Sequence, residues 1–181
     1  MRTETTRRTL LATWLSAAGF GSAGCVSRSD RDDGQTTVRK YPHLASSRLF
    51  VGSSMSIALP DSTTRTTNPE QATLVVLGQG TNVDGDQVVE WLETGVPVGV
   101  VGDPALETLA GLVRAGNIDN AFDADGIVAG GARSAKAAAF YPALDAQELH
   151  TYTSFGPAED SVDRWDLEGM VKFVDENDRV Q

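Results

Sequence analysis

Residues 73–101, TLVVLGQGTNVDGDQVVEWLETGVPVGVV, decide the fold of this chain. The stretch begins and ends with runs of apolar, β-forming residues, at 73–77 and 96–101. Runs that are apolar at every position are typical of strands covered on both faces, as in a parallel sheet. Between them, helical spacing places three apolar side chains on one side of a helix: Val88, Trp91 and Leu92. The stretch therefore predicts a strand, a helix and a second strand.

The neighbouring sequence extends this unit in both directions. Residues 49–51 form another short apolar run, and Gly95 is a typical stop for the first helix. After the strand at 96–101, Asp103 is placed to cap a second helix, with Pro104 at its first position and Gly116 at its end. Alternation of strands and helices predicts that the sheet is parallel in this region.

The second half of the chain has weaker patterns. Short apolar runs lie at 126–130 and 136–141, and residues 150–155 alternate as in a strand with one buried face. A last helix is predicted over 162–175 from an apolar stripe of Leu167, Met170, Val171 and Val174. We therefore expect an α/β fold, a three-layer sandwich with a mixed, partly parallel sheet.

Composition limits the function classes. A chain of 181 residues fits one domain, and 25 acidic against 15 basic residues give a net charge of -10. This charge disfavours binding to nucleic acid. Only three of the basic residues are lysines, and an acidic chain that prefers arginine resembles proteins of extremely halophilic archaea. The single cysteine excludes an internal disulfide framework and a cysteine zinc cluster.

The first 25 residues have the order of an export signal: arginines, an uncharged stretch and a small-residue site. Thr6-Arg7-Arg8-Thr9-Leu10-Leu11 resembles the twin-arginine export motif, and Ser22-Ala23-Gly24-Cys25 resembles a lipobox. These resemblances imply that Arg7 and Arg8 direct export, that residues 1–24 are removed, and that Cys25 carries a lipid. The protein would then be held at the outer face of the cell membrane. Cleavage without lipid and an inert Cys25 are the alternatives.

Residues 25–47 are polar and lack a regular pattern, so they cannot bury enough apolar surface to offset the entropy of ordering. We expect them to form a flexible, lipid-anchored tether. The single α/β domain is predicted to cover residues 48–181. A spacer between a lipid and a folded domain agrees with the export signal.

The segment after the strand at 73–77 suggests two kinds of ligand. Gly78-Gln79-Gly80-Thr81-Asn82-Val83, with Asp103 after the next strand, resembles a dinucleotide-binding turn. The alternative is an ordinary strand-to-helix turn, with Asp103 as a helix cap.

The same segment has a partial match to a calcium loop. Asn82, Asp84 and Asp86 supply oxygens at the first, third and fifth positions, and Glu90 and Glu93 follow. The alternative is that these acids cap and favour the N-terminus of the helix. We therefore expect no cofactor, with calcium at this loop as the alternative.

Architecture alone predicts where a ligand would bind. In open α/β sheets, ligands lie beyond the carboxyl ends of the strands. Here those ends carry Ser53, Ser54, Gly78, Gly80, Asn82 and Asp103.

No G-x-S-x-G nucleophile motif occurs in the chain, and no other catalytic set is recognisable. We therefore expect a surface-anchored interaction or binding domain of unknown protein or small-molecule partner. The alternative is an extracellular enzyme or small-ligand receptor that uses the crevice at the strand ends.

Overall fold

A computed structural model describes residues 40–53, 55, 57–122, 135–156 and 164–179. All of them belong to the compact unit Asp32–Gln181. The predicted export signal, Cys25, Ser54 and the apolar run at 126–130 lie outside the described residues.

The described residues form four helices and six strands. The helices are α1 (Pro42–Ser46), α2 (Gly85–Glu93), α3 (Ala105–Ala115) and α4 (Arg164–Asp178). The strands are β1 (Arg48–Val51), β2 (Thr64–Thr66), β3 (Leu74–Gly78), β4 (Val98–Val101), β5 (Ala135–Ala143) and β6 (Glu148–Phe155). Short 3-10 turns occur at Pro69–Gln71 and Ile118–Asn120.

The strands form one sheet in the order β2-β1-β3-β4-β5-β6. The first four strands are parallel to one another, whereas β5 is antiparallel to β4 and β6 is antiparallel to β5. The predicted α/β fold with a mixed, partly parallel sheet is thereby confirmed. The strand–helix–strand unit that residues 73–101 predict is β3, α2 and β4.

Successive residues of the central strands point into two separate cores. Val75 and Leu77 pack with α2 and α3, while Leu74 and Val76 pack with α1 and α4. The alternation follows from the opposite directions of neighbouring side chains in a strand. Helices therefore cover both faces of the sheet, which explains why β3 and β4 are apolar at every position.

Small residues in β4 and β5 bring α4 close to the sheet. A β carbon at Gly99 would lie 2.9 Å from the sulfur of Met170, inside van der Waals contact. Ala137 and Ala139 belong to the same core and are fully buried. Larger side chains at these positions would force the helix away, because buried cores have almost no spare volume.

The folded domain starts earlier than the sequence predicts. Tyr41 is 5% exposed and Leu44 is fully buried in the core beneath α4. The carboxylate of Glu168 accepts hydrogen bonds from the backbone N–H groups of His43 (3.1 Å) and Leu44 (2.8 Å) at the first turn of α1. The predicted tether over residues 25–47 is therefore wrong for residues 40–47, which tertiary contacts hold against α4.

The end of α2 is the one that the sequence predicts. Gly95 has a φ of 86° and follows the C-cap residue Thr94. Its N–H donates to Leu92 O at 3.0 Å, and the N–H of Val96 donates to Trp91 O at 2.8 Å. These paired bonds form a Schellman motif, which requires a left-handed residue at this position.

The start of α3 differs from the prediction. Its N-cap residue is Pro104, and no side chain caps the helix there. Asp103 precedes the N-cap and its side chain makes no capping hydrogen bond, so its predicted role as helix cap is wrong. The helix does end at Gly116, as expected.

Candidate functional site

A cleft opens at the carboxyl ends of β1 and β3. From β1 the chain crosses to β2 on one side, and from β3 it crosses to β4 on the other side. The two connections therefore diverge between β1 and β3, and this divergence leaves a crevice at the strand ends. The cleft measures about 530 Å³, within the usual range of 300–1,000 Å³ for small-ligand sites.

The wall of the cleft combines apolar and polar groups. Phe50, Val83 and Trp91 supply apolar surface, and the Phe50 and Trp91 rings lie 6.2 Å apart. The remaining wall is formed by Gly52, Ser53, Gly80, Thr81, Asn82, Asp84 and Gln87. Hydroxyl, amide and carboxylate groups thus face a partly aromatic surface, and this mixture suits a polar molecule with one apolar face.

A tight turn places Thr81 and Asn82 at the cleft. The N–H of Thr81 donates to Gly78 O at 3.1 Å, and its hydroxyl donates to the same oxygen at 2.6 Å. Gly80 occupies the third position of this turn with a φ of 77°, where a glycine is preferred. The turn redirects the chain from β3 across the mouth of the cleft.

Asp84 closes the N-terminus of α2. Its carboxylate accepts a hydrogen bond of 3.0 Å from the backbone N–H of Gln87, so it is the N-cap of the helix. A dinucleotide would need its pyrophosphate at such a helix N-terminus. A carboxylate already fills that position and would repel phosphate, which favours the turn-and-cap interpretation over nucleotide binding.

Charge around the cleft is negative. Asp84 is the one charged residue of the lining, and Asp86 and Glu90 are exposed nearby on α2. No basic residue belongs to the lining among the described residues. Anionic ligands are therefore disfavoured, and uncharged or cationic ligands are favoured.

The sequence-predicted site residues are only partly brought together. Ser53, Gly80 and Asn82 line the cleft, as the architecture suggests. Gly78 is buried at the end of β3, and Asp103 does not reach the lining. Phe50, Gly52, Gln87 and Trp91 also line the cleft, and the sequence analysis did not predict them as site residues.

The structure gives no support to the predicted calcium site. Asn82, Asp84 and Asp86 are exposed, and Asp84 serves as the helix cap. In the part of the chain that the structure describes, no cluster of three or more His, Cys, Asp or Glu residues is arranged to hold a metal ion.

A second polar cluster, which the sequence does not reveal, lies on the face of the sheet covered by α4. Lys136 at the start of β5 forms an ion pair of 3.4 Å with Asp166, and their side chains are 16% and 4% exposed. The hydroxyl of Ser154 on β6 donates to the same carboxylate at 2.8 Å. The cluster ties the first turn of α4 to two strands.

Tyr152 borders this cluster and stays a neutral phenol. Burial raises the pKa of Tyr152, and the negative charge of Asp166 adds to the rise. A hydrogen bond between Ser154 and Tyr152 and the positive charge of Lys136 oppose the rise. A phenol with a raised pKa is a poor general base at neutral pH. The cluster is therefore suited to holding α4 in place rather than to proton transfer.

Both histidines lie outside the cleft. His43 contacts Asp175 through Nδ1 at 2.6 Å, and His150 contacts Asn177 through Nδ1 at 2.6 Å. Neither residue lines the cleft. The cleft therefore has no histidine for general acid–base chemistry among its described residues.

Comparison with known proteins does not assign this chain to a family. No family model, no curated protein and no solved structure matches it. Within the described part of the chain, none of the helices has the length and apolar character that crossing a membrane requires.

Proposed function

We propose that this protein is an exported receptor-type binding domain that takes a small, uncharged or cationic polar molecule into the cleft between β1 and β3. The observation that carries the proposal is the position of the cleft, at the point where the connections after two parallel strands diverge. Ligands of open α/β sheets bind at such points. Of the two function classes that the sequence leaves open, the cleft favours the small-ligand receptor over a domain that acts through a flat surface.

The lining supports this class of ligand. Ser53, Asn82 and Gln87 offer hydroxyl and amide groups, and Phe50 offers an aromatic surface. The carboxylate of Asp84 has one oxygen on the backbone of Gln87 and can attract a cation with its negative charge. The same negative charge would repel a carboxylate or phosphate ligand.

Binding should depend on Asn82. We expect Asn82→Ala to weaken binding of an uncharged or cationic probe about tenfold, because about 1.4 kcal/mol is a typical loss for one polar contact. The measurement is the change in backbone NMR signals of the full chain during titration with glucose, choline and citrate. Signals of residues 80–87 should move with glucose or choline and remain unchanged with citrate.

Gln71→Ala is the matched control, since Gln71 is an exposed amide outside the cleft. This variant should bind like the unaltered protein. Binding of citrate at residues 80–87, equal loss in the two variants, or no change with either favoured probe would contradict the proposal.

The proposed location rests on the resemblance of residues 1–25 to an export signal with a lipid-accepting cysteine. We expect Cys25→Ser to shift most of the protein from the membrane fraction to the medium or to leave it unprocessed, because a hydroxyl cannot accept a thioether-linked lipid. Immunoblots of membrane and medium fractions measure the shift. Unchanged membrane association and processing in the variant would show that the attachment does not depend on Cys25.

A further inference from the structure

The last strand of the sheet has an open outer edge. β6 is eight residues long and pairs with β5 on one side, and no described strand pairs with its other side. The edge strand at the opposite end, β2, has only three residues. An open strand of this length presents a row of backbone N–H and C=O groups to another chain.

Natural edge strands usually carry features that block such pairing, and β6 has few of them. Its sequence, ELHTYTSF, has no proline, lysine or arginine, and Glu148 is its one acidic residue. In a chain with a net charge of -10, this strand is a place where a second copy meets little repulsion.

One face of β6 is also incompletely covered. Tyr152 packs against Phe173 of α4, with ring centroids 5.8 Å apart, so the side chains on that face have a partner. Leu149, Thr151, Thr153 and Phe155 alternate to the other face. Phe155 is 53% exposed there, although it is a large apolar side chain.

We propose that two copies of this chain associate by antiparallel pairing of β6 with β6 about a two-fold axis, with Tyr152 opposite its own copy. A two-fold axis perpendicular to the sheet keeps each face continuous, so residues of equal parity must oppose one another. The proposed register therefore places Phe155 of each copy opposite Leu149 of the other, so the dimer contains two Phe155–Leu149 pairs.

The remaining pairs of this register are compatible. Thr151 lies opposite Thr153, His150 opposite Ser154, and Glu148 opposite Gly156 of the second copy. No like charges meet, and threonine pairs are favourable across strands. Of the two neighbouring symmetric registers, the one centred on Thr151 would leave Phe155 without a β6 residue opposite it. The one centred on Thr153 would place Phe155 opposite Thr151 rather than an apolar residue.

Symmetric complementarity is the reason to assign this edge to a second copy rather than to an unrelated peptide. One pair of eight-residue strands gives an interface smaller than the standard size of about 1,600 Å². The association is therefore weak and depends on concentration. Confinement of both copies to one membrane surface would raise their effective concentration.

Sedimentation equilibrium of the full chain, in reducing buffer with molar salt and over roughly 10 μM to 1 mM, tests the proposal. We expect a reversible monomer–dimer equilibrium that Phe155→Lys weakens at least tenfold, because it removes both Phe155–Leu149 contacts. Leu144→Lys is the matched control, since Leu144 is similarly exposed (47%) and lies outside β6. This control should dimerise like the unaltered chain.

Charge pairing tests the register itself. Mixing Phe155→Lys with Leu149→Glu should restore association between the two variants, because this register places the new lysine opposite the new glutamate. Circular dichroism should confirm that each variant is folded, and Thr153→Lys with Thr151→Glu provides a second pair on the same face. A monomer at every concentration, equal weakening by Leu144→Lys, or no rescue by either folded pair would overturn the proposal.

Discussion

Asp166→Ala should lower the free energy of unfolding by about 3 kcal/mol, because it leaves the charge of Lys136 without its partner in a buried position. The two side chains form an ion pair of 3.4 Å, with exposures of 16% for Lys136 and 4% for Asp166. Removal of one partner from a buried pair typically costs about 3–5 kcal/mol. The lower end applies here because the ammonium group of Lys136 can partly reach water. The variant also removes the acceptor of the Ser154 hydroxyl.

Urea unfolding at constant molar salt, followed by circular dichroism, measures this loss. Glu176→Ala is the matched control: Glu176 pairs with Lys172 at 3.6 Å, but the two side chains are 60% and 56% exposed. We expect this control to change stability by about 0.5 kcal/mol or less. Equal effects of the two variants would show that the buried Lys136–Asp166 pair matters no more for stability than the exposed pair.

A third variant separates the cost of an unpaired charge from the net value of the pair. Lys136→Met combined with Asp166→Leu removes both charges and keeps apolar volume. Buried ion pairs can often be replaced by apolar residues with little loss. We therefore expect the double variant to be more stable than Asp166→Ala. If the double variant is less stable than the unaltered protein, the ion pair with its Ser154 hydrogen bond contributes net stability.

The central sheet is predictable from the sequence because its signals are local. β3 and β4 are buried on both faces, so every position is apolar, and α2 has one apolar side and a glycine stop. Each of these features lies within about ten residues of chain. The parallel direction then follows from the helix between the strands.

Elements held by distant residues are not predictable in this way. α1 has five residues, too few for a stable isolated helix, and the carboxylate of Glu168 supports its first turn from α4. β2 consists of Thr64, Arg65 and Thr66, and no apolar residue marks it as a strand. Its place in the sheet comes from pairing with β1.

The candidate site likewise has features that the local sequence predicts and features that it does not. The location of the cleft follows from strand order, and three of the five described crevice residues chosen from the sequence line it. Phe50 and Trp91 were missed because each also has the pattern of a core residue. Lys136 and Asp166 are thirty positions apart, and their pairing depends on how α4 lies across β5 and β6. No sequence pattern indicates it.

Gly116→Ala should lower the free energy of unfolding by about 3 kcal/mol, because α2 and α3 touch through their backbones at this point. A β carbon at Gly116 would collide with the carbonyl of Gly85 and lie 2.7 Å from the side chain of Val89. Overpacking of this kind costs about 1–3 kcal/mol or more, and the upper end applies since the backbone has little freedom to move. Gly85→Ala should have a similar effect, because its β carbon would collide with Leu112 O.

Gly111→Ala is the matched control on the same helix. No atom lies within 4 Å of a β carbon at Gly111, and the residue is inside α3. Alanine in a helix interior is favoured over glycine, so this variant should gain about 0.5–1 kcal/mol. Opposite signs for the two alanine variants, measured by urea unfolding in molar salt, would support the contact.

The Gly116→Ala variant also tests the reason for a glycine at position 116. The sequence predicts Gly116 as the stop of α3, and stop glycines are usually selected for a left-handed backbone. Gly116 has a φ of -89°, which any residue can adopt, and the left-handed residue is Asn117, with a φ of 62°. Lack of space against Gly85, rather than backbone conformation, is therefore the reason to expect a loss. A Gly116→Ala variant as stable as the unaltered chain would mean that α2 and α3 can separate at little cost. The position of Asp84 and Trp91 at the cleft would then be less firmly fixed than this contact implies.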